Sequence, residues 1–137
     1  MKTVETLLKS RVSTNKYDSG RTLSDLEIDK LIQLATLAPS AFNVQNWKFV
    51  AIRSAAGKAK LLPLAYGQAK VADAAVTFVV CGTLAPHATL PAALQPSVER
   101  GILDDATRAG WVAAANSMYS DNPALQRDEA IRSASLA

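Results

Sequence analysis

The segment from Ser24 to Ile52 constrains the fold most strongly, because it predicts a helix, a tight loop and a strand in immediate succession. Ser24 and Glu27 have the spacing of a capping box, which marks a helix start. Apolar residues then repeat at helical spacing, which predicts a helix over 25–38. Pro39 is expected to end it, because the residue before a proline is driven away from helical backbone angles.

A short polar loop separates this helix from the next apolar segment. Ser40, Asn43 and Gln45 supply three neutral hydrogen-bonding side chains, and Trp47–Ile52 follows with the aromatic and β-branched residues of a strand. Loops held between rigid elements often carry binding groups, so these side chains suit a polar, uncharged ligand edge. The sequence is also explained, without any ligand, by a helix stop, a turn and a strand start.

The remaining elements are predicted from hydrophobic periodicity and from turn and cap signals. We predict helices over Val4–Ser10, Gly57–Ala65 (kinked at Pro63) and Ser97–Tyr119, a helix restarting at Asn122 and Pro123, a strand over Ala74–Cys81 and a loop over Pro86–Pro96. Because apolar residues occupy both faces of the predicted strand, we expect it to lie centrally in a sheet.

Composition restricts the classes of protein to which the chain can belong. A length of 137 residues with 49% hydrophobic and 20% charged residues predicts one globular domain over 1–137. The net charge of +3 is scattered, so nucleic-acid binding is not indicated, although anionic ligands are favoured. Cys81 is the only cysteine, which excludes an intrachain disulfide. The segment Met1–Glu5 lacks the apolar core of a signal peptide, and no apolar run is long enough to span a membrane. We therefore expect a cytoplasmic protein without a membrane partner.

Arg11 and Ser13 form the clearest candidate for an anion site. They follow the first predicted helix in a polar segment, where a guanidinium, a hydroxyl and free backbone donors would suit a phosphate. The alternative is a solvated arginine beside a turn. Lys16 and Arg21 are nearby cations that could equally be surface charges.

The other reactive residue types form no catalytic set. His87, the single histidine, is expected on the surface of the proline-rich loop, and Cys81 is expected to be a small buried apolar residue. Trp111 and Tyr119 are expected to be packing residues. Two pairs of adjacent acids point in divergent directions on a helix and make no acid/base dyad; they are Asp104–Asp105 and Asp128–Glu129. An enzyme of this composition would therefore need a reactive group from an organic cofactor.

Three motifs in order carry a resemblance to a known family. The segments 11–17 (RVSTNKY) and 39–47 (PSAFNVQNW) are followed by 67–70 (GQAK) before the apolar strand at 74–81. Together they resemble the FMN-dependent nitroreductase family over roughly the first 85 residues. The stretch from Asn122 to Ala137 also resembles the start of that family's central helix.

The resemblance implies an α+β fold, a nitroreductase-like three-layer α-β-α sandwich formed by an intertwined homodimer with FMN at the interface. Arg11 would bind the FMN phosphate and Ser13 would lie near the ribityl chain and phosphate. The wider set implied for cofactor binding also includes Val12, Asn15, Gln68 and Lys70, the last two near the pyrimidine edge or ribityl chain, and Pro39, Ser40, Ala41 and Asn43 from the neighbouring subunit. No metal and no catalytic side chain are implied.

The implied activity is reduction of nitroaromatics or quinones as small-molecule electron acceptors. NAD(P)H would deliver a hydride to flavin N5 in a ping-pong cycle. Asn15 stands where many members carry a basic residue, and Asn46 stands where proline usually precedes the tryptophan, which should loosen the loop. The chain stops where the family continues, so we expect a truncated or incomplete domain. A non-catalytic flavin-binding module, an inactive fragment of such an enzyme and a ligand-free structural remnant are the alternatives.

Overall fold

The fold combines helices with a two-stranded sheet in a computed structural model that describes residues 3–137. Met1 and Lys2, which begin the segment predicted to lack a signal peptide, lie outside the described residues. The elements, in chain order, are α1 (Val4–Ser10), α2 (Asp25–Ala35), a 3-10 turn (Ala41–Asn43), β1 (Trp47–Ile52), α3 (Ala55–Leu64), α4 (Ala69–Asp73), β2 (Thr77–Gly82), α5 (Pro86–Glu99), α6 (Asp105–Tyr119) and α7 (Pro123–Leu136).

The described chain divides into two compact units. The first unit comprises residues 3–23 and Ile52–Thr77, and it contains α1, α3 and α4. The second unit comprises Ser24–Ala51 and Phe78–Ala137, and it contains α2, the 3-10 turn, nearly all of the sheet and α5–α7.

Side chains satisfy the ends of two helices in the first unit. The hydroxyl of Ser54 accepts from the backbone N–H of Gly57 at 3.1 Å and so caps the start of α3. From α3, the ammonium group of Lys58 donates to the carbonyls of Ala72 and Ala74 at the end of α4. This contact supplies donors to carbonyls that a helix end leaves unpaired. The two helices are therefore joined by a charged hydrogen bond rather than by apolar packing alone.

An apolar core stabilises the second unit. Five buried residues form its centre, and they are Val44, Leu90, Leu94, Ala115 and Tyr119. Leu90 and Leu94 are fully buried and lie one turn apart on α5, where they pack with α6. Burying a leucine typically stabilises a fold by about 1.5–3 kcal/mol, so this pair is a main source of stability.

The backbones of β2 and α7 approach each other at Gly82. A Cβ atom built at Gly82 would lie 2.7 Å from Cα of Ala130, and closer still to the carbonyl group of that residue. Because a side chain at this position would overlap backbone atoms, only glycine allows the observed approach of strand to helix.

Several predicted elements are confirmed. The helix Val4–Ser10 and the strand Trp47–Ile52 have the predicted bounds, and the capping box of Ser24 is formed. Asn122 caps α7, with Pro123 at the first helical position. The helix predicted over 25–38 ends earlier, at Ala35, because the N–H groups of Leu37 and Ala38 bond to carbonyls three residues back and so form a turn.

The predicted loop over Pro86–Pro96 is wrong, because these residues form most of α5. Pro86 occupies the first turn, where its missing N–H has no helical partner in any case. Pro91 and Pro96 lie inside the helix, and burial of the leucines that face the core outweighs their unfavourable helix propensity.

The long helix predicted over Ser97–Tyr119 is also wrong. Gly101 adopts a left-handed backbone with φ of 68° and breaks the chain between α5 and α6. Asp104 then starts α6, and its carboxylate accepts from the backbone N–H of Thr107 at 2.6 Å. That hydrogen bond lowers the pKa of Asp104, because it favours the ionised carboxyl group.

The strand predicted over Ala74–Cys81 is shorter and lies at Thr77–Gly82. Its expected central position is not observed in the described residues, where β2 pairs with β1 alone. The prediction that Cys81 is buried is wrong: it is exposed, whereas the other residues of β2 are half-buried.

Candidate functional site

The predicted phosphate ligand Arg11 lies directly after α1, in the first unit. It is the C-cap residue, with an extended backbone, and residues 12–17 continue without regular structure. Arg11, Val12, Ser13 and Asn15 are all exposed. Among the described residues, no side chain of these four makes a hydrogen bond or an ion pair. The side-chain donors and acceptors of Arg11, Ser13 and Asn15 are therefore accessible to a ligand.

Gln68 and Lys70 lie in the same unit at the start of α4. Gln68 is the N-cap residue, yet its side chain makes no capping hydrogen bond and is exposed, whereas Lys70 is half-buried in the first turn. Within residues 3–137, no hydrogen bond links either residue to the segment from Arg11 to Asn15. The structure therefore places these candidates in one unit without a direct polar contact between them.

The polar loop (residues 39–46) lies in the second unit, and it brings three of the predicted side chains together. The hydroxyl of Ser40 accepts from the backbone N–H of Gln45 at 2.9 Å. The side-chain amide of Gln45 donates to Oδ1 of Asn43 at 3.0 Å. Since Gln45 occupies Oδ1, the Nδ2 group of Asn43 remains the free donor of that exposed side chain.

The backbone of the polar loop is held in an uncommon conformation. Phe42, Asn43 and Gln45 have φ angles of 53°, 55° and 49°, in the left-handed region that non-glycine residues seldom occupy. Such residues typically cost about 1–3 kcal/mol each and persist where surrounding contacts fix them, often at functional sites. The spacing of polar residues identified this loop, but nothing in the sequence indicated the left-handed backbone.

Contacts on both sides of the loop fix this conformation. Val44 is buried in the apolar core, and Phe42 packs edge-on against Trp111 with 6.3 Å between ring centroids. The packing roles predicted for Trp111 and Tyr119 are thereby confirmed. Within the loop, Pro39 is exposed, whereas Ser40 and Ala41 are half-buried.

Asn46 closes the polar loop against the end of β2. It is 3% exposed, its Nδ2 group donates to the carbonyl of Thr83 at 3.1 Å, and its own carbonyl accepts from the Thr83 N–H at 2.7 Å. The loosening expected from an asparagine at this position is therefore opposed by two hydrogen bonds. Sequence reasoning missed this role, because Thr83 lies 37 residues further along the chain.

His87 lies on α5 and not in a surface loop. The residue is half-buried, and its Nδ1 atom is buried without a hydrogen-bond partner among the described residues. No group of three or more His, Cys, Asp or Glu residues in 3–137 is placed to hold a metal ion. None of the helices in that range combines the length and apolar character needed to cross a bilayer.

A buried carboxylate in the second unit was not anticipated. Glu129 is 1% exposed and accepts from the hydroxyls of Tyr119 at 3.3 Å and Ser133 at 3.0 Å and from the guanidinium of Arg132 at 2.6 Å. Burial, and next the negative charge of Glu129, raise the pKa of Tyr119. Three donors satisfy this carboxylate, so it is a structural anchor of α7 and not a free acid/base.

Comparison with known sequences and structures identifies the family. The elements define an α+β protein with a rigidly held polar loop between a helix and a strand. Residues 8–137 match the Nitroreductase family, and the chain belongs to that family with the nitroreductase fold.

Individual relatives agree over nearly the whole chain. The Bacillus subtilis (strain 168) protein named "Putative NAD(P)H nitroreductase YodC" is 32% identical over 131 residues, which are 96% of this chain and 64% of that protein. A structure from Exiguobacterium sibiricum 255-15, described as "a putative nitroreductase in complex with FMN", is 30% identical with a TM-score of 0.87 and covers 99% of this chain and 66% of that one. A Staphylococcus epidermidis ATCC 12228 structure, 20% identical with a TM-score of 0.89 over 99% of this chain and 65% of that one, is similar in fold. The chain therefore spans about two thirds of the length of these relatives.

Proposed function

We propose that the chain functions as an FMN-dependent NAD(P)H oxidoreductase that reduces nitroaromatics or quinones. The observation that carries this proposal is the similarity to the FMN-bound structure from Exiguobacterium sibiricum, which extends over 99% of the chain. The name of the Bacillus subtilis relative supports NAD(P)H as electron donor. We further propose that the chain forms one nitroreductase-like domain, that two copies associate as the active homodimer, and that this dimer works in the cytoplasm.

The donor set of the first unit fits the phosphate end of FMN. Arg11 offers an exposed guanidinium with no internal partner among the described residues, and Ser13 adds a hydroxyl two residues later. A guanidinium forms paired, charge-assisted hydrogen bonds with phosphate oxygens, which are stronger than bonds between neutral groups. We assign the phosphate to Arg11 and the ribityl chain to Ser13, with Val12 and Asn15 completing the contact.

The polar loop fits the ring of the cofactor. The loop would reach the flavin from the neighbouring subunit, with the free Nδ2 donor of Asn43 facing the polar edge of the ring and Pro39, Ser40 and Ala41 lying against it. Gln68 and Lys70 would reach the pyrimidine edge or the ribityl chain. A lysine ammonium near that edge would stabilise negative charge on the reduced ring, an effect that is strongest when the charge is held in place beforehand.

Bound FMN would supply the redox chemistry, taking a hydride from NAD(P)H and passing electrons to the acceptor in alternate half-reactions. The residues of this chain would bind and orient the ring, and none of them need act as a nucleophile.

The Arg11 assignment is tested by measuring FMN affinity for Arg11→Ala. Loss of a charge-assisted clamp worth about 1.5–3 kcal/mol should raise the Kd for FMN about 10- to 150-fold. Arg21→Ala is the matched control, since Arg21 is an exposed arginine of the same unit and its loss changes the net charge equally. Equal effects of the two substitutions would reject Arg11 as the phosphate ligand.

Activity is tested separately with the unmodified protein. It should bind FMN, turn yellow, and oxidise NAD(P)H when a nitroaromatic or quinone is added. Bound FMN without NAD(P)H oxidation would instead identify a non-catalytic flavin-binding module. A protein that is colourless once unbound FMN has been removed by gel filtration would refute both functions.

A further inference from the structure

The buried side chain of Asn46 joins the end of the polar loop to Thr83. Asn46 is 3% exposed, and it is the one residue of the loop that bonds to Thr83 through both its side chain and its backbone, at 3.1 and 2.7 Å. The hydrogen bonds among Ser40, Asn43 and Gln45 are exposed, and water competes with exposed bonds of this kind. The contacts of Asn46 are therefore better protected than those within the loop.

The two hydrogen bonds between Asn46 and Thr83 form a clamp, and a turn at Asn46 connects this clamp to the left-handed part of the loop. The backbone N–H of Trp47 donates to the carbonyl of Gln45 at 2.9 Å, which makes Asn46 the central residue of a three-residue turn. Gln45, immediately before it, is in the left-handed region, as are Phe42 and Asn43. Release of Asn46 would first free Gln45, the left-handed residue that the contacts of Val44 and Phe42 do not hold directly.

The side chain of Asn46 acts in the clamp only as a hydrogen-bond donor, through Nδ2. The Oδ1 atom of Asn46 is buried and has no hydrogen-bond partner among the described residues, whereas Nδ2 is bonded. A buried amide with an unpaired oxygen disfavours the folded state. The residue is thus not explained by stability alone, and its donor to Thr83 is its clearest contribution.

We propose that Asn46 is a positioning residue for the cofactor, which keeps the polar loop in the binding-competent conformation before FMN arrives. This inference rests on the proposed function, because it assumes that the loop contacts the flavin. If only a fraction of molecules hold the competent loop, the apparent Kd rises by the inverse of that fraction. A reduction of the competent population to a tenth would raise the Kd for FMN tenfold.

The test compares Asn46→Ala and Asn46→Leu with Asn122→Ala. Asn46→Leu keeps a side chain of similar shape and removes the unpaired oxygen together with the donor to Thr83. It therefore tests the positioning role even if the alanine variant fails to fold. Asn122→Ala removes an asparagine cap of α7, in which Oδ1 accepts from the N–H of Leu125 at 3.1 Å, and among residues 3–137 no hydrogen bond joins Asn122 to the polar loop. Each variant is titrated with FMN at a temperature where it is fully folded.

Both Asn46 variants should bind FMN about tenfold more weakly than wild type, and hydrogen exchange at the amides of Val44 and Gln45 should accelerate in the ligand-free protein. Asn122→Ala should change neither quantity. An FMN affinity for the Asn46 variants within twofold of Asn122→Ala would overturn the positioning role while leaving the proposed function intact. Failure of the wild type itself to bind FMN would instead overturn the proposed function, and the positioning role with it.

Discussion

Substitution of Gly82 by alanine tests the closest approach in the second unit. The added Cβ would lie 2.7 Å from Cα of Ala130 and nearer still to its carbonyl group. Overpacking typically costs about 1–3 kcal/mol, and the upper end applies here because backbone atoms cannot rotate away. Gly82 has no positive φ, so alanine also restricts the unfolded chain and returns about 0.4–1 kcal/mol. We therefore expect a net loss of about 2 kcal/mol.

The assay is urea unfolding, followed by tryptophan fluorescence and circular dichroism. Gly110→Ala is the matched control, because a Cβ at Gly110 in α6 meets no atom within 4 Å. That change should stabilise the protein by about 0.8–1 kcal/mol through helix propensity. Ala130→Gly should not rescue Gly82→Ala, since the obstructing atoms belong to the backbone. An unchanged unfolding midpoint for Gly82→Ala would refute the described approach of β2 to α7.

Three further predictions concern stability. Ser24→Ala removes the capping box of α2 and should lower the free energy of unfolding by about 1 kcal/mol in urea titrations, with no change in slope. The pKa of Asp104 is lowered by its bond to the N–H of Thr107, so its contribution to folding stability is present above about pH 4 and is lost as the pH falls further. The stability of Asp104→Ala should therefore change less than that of wild type between pH 5 and pH 3. Burial raises the pKa of Tyr119, so Tyr119 ionises first in the unfolded chain and the free energy of unfolding should fall as the pH rises above about 10. Tyr119→Phe should lose the bond to Glu129, yet its free energy of unfolding should fall less between pH 8 and pH 11.

Local signals in the sequence predicted the elements with strong boundaries. The helix Val4–Ser10, the strand Trp47–Ile52 and the cap at Ser24 were predictable because propensity, periodicity and capping residues agree over a few neighbouring positions. The α5 helix was not, because Pro91 and Pro96 oppose helix locally and the compensating burial of leucine side chains is a tertiary effect. Local patterns cannot include energies that arise from distant parts of the chain.

The candidate site follows the same division. The polar loop could be identified from Ser40, Asn43 and Gln45, since these lie within six residues between a helix and a strand. Its left-handed backbone and the clamp between Asn46 and Thr83 could not, because the clamp joins residues 37 positions apart. The assignment of Arg11 to a phosphate remains a prediction, which the proposed titrations address.

The exposure of Cys81 gives this protein a practical property. It is the only thiol of the chain, it is open to solvent, and it precedes Gly82 directly. A single maleimide dye attached there would sit beside the junction of β2 and α7. The molecule therefore provides a natural attachment point for an optical reporter, and unfolding of that junction can be followed in real time without an engineered cysteine.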